Sequence, residues 1–281
     1  MADVKTAAAK PATAHGSSAG KPKNSSNFLA NFLVVVACIV AGIVVWKFVL
    51  GSDANFLDAE KMKAKNPFGL MFQGGFVVPI LLATLFTLLC FVVERALTIF
   101  KSKGKMDAGE FVRKVQYHLA NKNVDAAISE CDKQSGSVGN VMRSGLTKYK
   151  EMTNNSELDG TQKSINIQKE IEEATALELP MLEKNLVFLS TISSCATLLG
   201  LFGTVLGMIR SFQSMNTSGA PDAAALAGGI SEALINTALG ISTSFIAIIA
   251  YNFFTTIIDG ITYGIDESGF TLTQSFAANY K

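Results

Sequence analysis

Two threonines and one carboxylate stand inside long uncharged runs: Thr204 in "LGLFGTVLGM", and Glu232 and Thr237 in "ISEALINTALGI". Thr204 is flanked by Gly200, Gly203 and Gly207, although glycine weakens an isolated helix by roughly 1 kcal/mol relative to alanine. At helical spacing, Ser190, Ser193, Thr197, Gly200, Thr204, Gly207 and Ser211 recur in alternating steps of three and four, on one face. Ala233, Thr237, Gly240, Ser244 and Ala247 repeat the pattern in the second run. Small residues let two helix backbones approach, and hydroxyls can hydrogen-bond across the gap. The plain reading is a packing seam. The alternative is a polar face that hydrates a passage or receives a partner, and the register of the threonines favours it. Thr204 and Thr237 are equidistant from residues 220 and 221, inside a predicted turn, so a hairpin places them at one depth, some sixteen residues or about 24 Å from its tip.

Glu232 lies about half a turn off the Thr237 stripe, close to Gly229 and Asn236. An ionisable group in a span is costly and marks a candidate functional site. It either bonds a neighbouring helix near the membrane surface or faces an adjacent subunit.

Other chemistries find little support. Cys38, Cys90 and Cys195 fall in apolar runs and Cys131 stands alone; with only His15 and His118 besides, no zinc spacing or disulfide framework is legible. No metal and no cofactor is expected. No nucleophile, base and orienting group converge, so an enzyme is not expected either. A net charge of +1 gives no sign of nucleic acid.

The elements that position these residues follow from hydropathy. Of the 281 residues, 49% are hydrophobic and 17% charged, against about a quarter charged in a soluble domain. Residues 1–27, rich in Ala, Ser, Gly, Pro and Lys, predict a disordered basic tail. Residues 28–50 form a first spanning helix, too long for a cleaved signal segment, with Trp46 and Lys47 suited to an interface. A polar loop, 51–74, precedes a second span, 75–94. Residues 95–184 predict a helical section, including an αα-hairpin that turns near "ANKN" and an acidic helix continuing into the third span, 185–212. A turn at 213–222 leads to the fourth helix, 223–258. Its thirty-six residues measure about 54 Å against a bilayer core of about 30 Å; it must protrude, sheltered by other helices. Residues 259–281 are read as a tail. The fold class is an all-α membrane protein with four transmembrane helices and a helical bundle extending from them.

Lys and Arg number four in the tail, three in the first loop, fourteen in the middle section and none in the third loop. The positive-inside rule therefore places both termini and residues 95–184 in the cytoplasm.

"GLFGTVLGMIRSF", "ISEALINTALGI" and "AIIAYN", supported by "VVERALTIFK", together resemble the signature spans of the MotA/TolQ/ExbB proton-channel family, with wording of the ExbB and TolQ type. The first span resembles an N-terminal extension found in some members, added to a three-span core. Where the family has Ala-Pro before its G-L-x-G-T-V, this chain has Ala196-Thr197. The resemblance implies a homo-oligomer, a pentamer, in the lipid of a bacterial inner membrane. The pentamer would surround an ExbD- or TolR-like single-span partner that carries the proton on an aspartate. Proton flow then drives TonB-dependent outer-membrane transport through a TonB-like protein, or Tol-type envelope work. Thr204 and Thr237 match the family's passage-lining threonines and Glu232 its intramembrane acid, with Ser193, Thr197, Gly200, Gly207, Ala233, Gly240 and Ser244 along the small-polar stripes. A MotA-type flagellar stator is the alternative within the family, and a structural scaffold the alternative outside it.

Overall fold

The computed structural model describes residues 24–58, 64–217 and 223–279. Of the tail expected over 1–27 and the turn expected over 213–222, residues 1–23 and 218–222 lie outside them, while 24–27 and 213–217 are helical rather than tail and turn. Among the described residues four stretches are helical, long and apolar enough to cross a membrane: Leu29–Leu50, Val77–Ser102, part of Gly160–Gln213, and Ala223–Asn279. The only pairing of extended backbone there is an isolated bridge between Phe56 and Ala64. The all-α membrane class expected from the sequence is the class observed.

Helix α1, Asn24–Val44, ends in a π-helical turn, Val45–Leu50. The Trp46 ring stacks on Phe72 at 4.9 Å between centroids. The described parts of the first loop make defined contacts. Asn55 donates to the Val49 and Leu50 carbonyls, and the Asn66 side chain caps the short α2, Pro67–Phe72, by accepting from Gly69 N–H at 3.0 Å. Helix α3, Val77–Ser102, starts after Gly75, whose φ of 76° is a left-handed turn that suits glycine. It packs along α1 and runs past the expected end at Glu94.

The polar section comprises α4 (Ala108–Ala120), α5 (Val124–Gln134), α6 (Ser137–Asn154) and α7 (Gly160–Glu183). The α4–α5 turn falls where expected, with Lys122 left-handed and Asn123 capping α5 from its side chain. Phe111, Val115 and Leu119 of α4, Met142, Leu146 and Tyr149 of α6 and Ile167 of α7 share one buried core with Ile265, Leu272 and Phe276. Each fully buried side chain of this size contributes about 1.5–3 kcal/mol.

Those last three residues belong to α9, Ala223–Asn279, a single 57-residue helix about 86 Å long. Here two expectations are corrected. Residues 259–279 are not a separate tail: Ile261, Ile265, Leu272 and Phe276 keep one face of α9 in the bundle core, so the helix has reason to continue. Likewise α7 does not run into α8, Leu186–Thr217. Asn185 adopts φ 64°, breaking the helix. Its side chain donates to Glu94 and accepts from Asn31, while the buried Arg95 donates to the Leu182 carbonyl near the end of α7. Arg95 thus satisfies a helix-terminal carbonyl that would otherwise lie unpaired.

Candidate functional site

The most extensive helix pairing in the molecule is α8 against the first half of α9, and the two small-residue stripes meet along it. Gly200 sits against Gly240: a methyl group added to Gly200 would come within 2.9 Å of the Asn236 carbonyl oxygen and 3.1 Å of Gly240 Cα. Gly207 lies similarly against Gly229 and Ala233. The Ser244 hydroxyl donates to the Ser193 carbonyl. Gly200, Gly207, Ala233, Gly240 and Ser244, expected along a lumen, are buried between two helices of the same chain. Within one chain these residues form a seam, because only hydrogen or a small side chain fits between the backbones. Thr197 remains exposed and Ser193 half-buried.

Thr204 and Thr237 are different. Their hydroxyls touch across the seam, and both are only half-buried. Each can also donate within its own helix, Thr204 to the Gly200 carbonyl and Thr237 to the Ala233 carbonyl, both at 3.2 Å. With one proton and two lone pairs apiece, the pair can hand hydrogen bonds across the seam but cannot hold a charge. Thr204 also lines a shallow groove of about 520 Å³ on α8 with Val205, Met208, Ile209, Phe212 and Gln213. The Thr204 hydroxyl and the Gln213 amide are thus the polar groups of a mainly apolar trough.

Glu232 is 7% exposed. Its carboxylate accepts from the Arg210 guanidinium of α8, which lies 5.5 Å over the Phe76 ring, and it also packs against Gly75. Beside it, the fully buried Asn236 donates from Nδ2 to the Gly74 carbonyl at 2.9 Å, leaving Oδ1 buried without a partner. Sequence reasoning placed Asn236 near Glu232 but missed Arg210 and Gly75. A usable signal existed for Arg210, since it and Glu232 are equidistant from residue 221, as the two threonines are from 220 and 221. Gly75 gave none, because its contact comes from a distant segment.

The site therefore lies within a segment of known kind. Residues 134–267 match the model of the MotA/TolQ/ExbB proton channel family. The match takes in all of α6, α7 and α8 and most of α9. The resemblance drawn from the third and fourth spans is borne out. The chain is similar to the Tol-Pal system protein TolQ of Pseudomonas aeruginosa, 35% identical over 45% of this chain and 54% of the relative. It is also similar to a putative biopolymer transport protein, ExbB-like 3, of Synechocystis, 41% identical over 30% of this chain and 41% of that one. The ExbB of Pseudomonas putida is 27% identical over 72% of this chain and 61% of the relative. The chain thus spans about half the length of the relatives it matches, and both TolQ and ExbB stand among them.

Proposed function

We propose that this chain is the stator-type subunit of a proton-driven motor in a bacterial inner membrane. In this reading several copies, five by family resemblance, surround a single-span ExbD- or TolR-like partner. The observation that carries the reading is the Thr204–Thr237 hydroxyl pair, half-exposed at the edge of the α8–α9 seam. Neither hydroxyl titrates and the nearby acid is held by an arginine, so the proton-carrying carboxylate comes from the partner. This chain contributes a wall that orients water and hydrogen bonds at that level. No step asks it to make or break a covalent bond, and the subunit is not an enzyme.

In this reading both termini and residues 95–184 face the cytoplasm, which the Lys and Arg distribution supports. The exposed apolar side chains of α8, among them Leu198, Leu201, Phe202 and Val205, meet lipid or the neighbouring copy. The movement of the partner energises TonB-dependent transport across the outer membrane, as in an ExbB-type motor. TolQ relatives at 35% and 31% identity favour Tol-type envelope work as the second reading.

The experiment is Thr237→Val and Thr204→Val in the native strain. Valine keeps the volume and removes the hydroxyl, so both variants should still co-purify with the partner subunit. Both should lose the phenotype of the intact system, whether siderophore uptake or resistance to detergent. Leu201→Ile, on an exposed face, serves as the silent control. Normal function in both valine variants would overturn the reading.

A further inference from the structure

The turn-proximal end of the α8–α9 hairpin carries a polar cluster that the proposed passage does not use. Glu232 and Arg210 pair there. Around them, Gly74, Gly75 and Phe76 form the loop that enters α3. Three independent contacts join this loop to the hairpin. The Gly74 carbonyl accepts from Asn236, the Phe76 ring lies under the Arg210 guanidinium, and the Glu232 carboxylate fills the space where a Cβ on Gly75 would stand.

We infer that Arg210 and Glu232 are a charge latch that, with Asn236, holds the entry of α3 on the hairpin and fixes the Thr204–Thr237 contact. Glu232 is then a positioning residue and not a proton carrier. The inference deepens the passage reading above and rests on it for its functional consequence.

The chemistry favours a latch over a relay. Protonating Glu232 would remove its charge and leave the Arg210 guanidinium, which does not deprotonate in proteins, facing the loop without its counter-charge. The two ends of the pair differ, since the Glu232 side chain is buried and the Arg210 side chain is about half exposed, so losing the arginine, which leaves a buried carboxylate unpaired, is the costlier break. The latch is also well placed to act on the threonines. Asn236 directly precedes Thr237. The carbonyl of Ala233, next to Glu232, lies within reach of both hydroxyls, at 3.2 Å from Thr237 and 3.4 Å from Thr204. A shift of this turn of α9 therefore moves the acceptor that the two hydroxyls share.

The test uses the full chain, replaced on the chromosome of the native strain, with two readouts. One is the Tm of the purified protein in mild detergent. The other is the phenotype lost on deletion of the gene. Glu232→Gln and Arg210→Gln should each lower Tm by about 5 °C and reduce function at least about tenfold. The exchange Arg210→Glu with Glu232→Arg should recover most of the Tm loss and at least half of the function. Arg210→Lys, which keeps the charge, should do the same. Recovered Tm with no recovered function in the exchange variant would mean that a carboxylate is needed at 232 itself, and the latch assignment fails. Full function in Glu232→Gln overturns it too, as does loss of both readouts in the exchange and lysine variants alike. Thr237→Val in the same series separates the two claims. If it is silent while the exchange rescues, the passage reading fails and the latch stands.

Discussion

Gly200 and Gly240 meet backbone to backbone across the α8–α9 seam: a methyl group on Gly240 would lie 2.6 Å from the Ala196 carbonyl oxygen and 2.8 Å from Gly200 Cα. No rotation of a side chain can relieve that approach, because the atoms on the far side are main chain.

Gly240→Val should therefore force the helices apart and cost about 3 kcal/mol or more. In detergent that is a fall of about 6 °C in Tm. Gly260, further along α9, has nothing within 4 Å of its would-be Cβ. Gly260→Ala should be neutral or stabilise by up to about 1 kcal/mol through helix propensity and lost unfolded-state freedom. Equal effects of the two variants in thermal unfolding would show that the close approach is not what selects glycine at 240.

The proposed orientation predicts a labelling pattern in a background without the native cysteines. A cysteine at Leu57, 68% exposed in the first loop, should react with a membrane-impermeant maleimide in cells whose outer membrane is permeable. A cysteine at Tyr117, 69% exposed on α4, should react only after the inner membrane is opened. Asn55, although in the same loop as Leu57, is buried and would report nothing. Labelling at 117 in sealed cells would invert the topology.

Cys131 of α5 offers a probe of the polar bundle. Burial pushes its thiol up to about 12, with a further push from Asp132. At pH 8 the thiolate fraction falls roughly a thousandfold below that of a free cysteine of ordinary pKa. Alkylation of native Cys131 should thus be at least that much slower than after unfolding in denaturant. The stability linkage has a definite sign. The folded pKa is raised, so the contribution is complete below about pH 9 and is lost as pH rises through 12. Cys131→Ala should flatten the alkaline fall in stability over that window. Fast alkylation of the folded protein would show that the α5–α6 contact opens readily.

The sequence by itself determined the helical class, the four apolar spans and the α4–α5 hairpin, because these rest on composition and on local spacing. It also determined the levels of Thr204 and Thr237. Once two helices are joined by a short turn, equal distances from that turn fix equal depth, with no other contact needed. The same arithmetic sets Arg210 opposite Glu232. What it left open was which way each stripe faces. Small, polar residues at three-four spacing suit a lumen and a seam equally well, since both demand low volume and tolerate hydroxyls. Only the packing of α8 on α9 decided that Gly200, Gly207 and Gly240 lie within the seam while the threonine pair stands half-exposed at its edge. The length of α9 was hidden for a related reason. Asp259, Asp266 and Glu267 look like a solvated tail when counted as charges, but they stand on the exposed side of a helix whose Ile261, Ile265, Leu272 and Phe276 are buried. Burial by α4, α6 and α7 depends on residues far away along the chain, and no local window contains them.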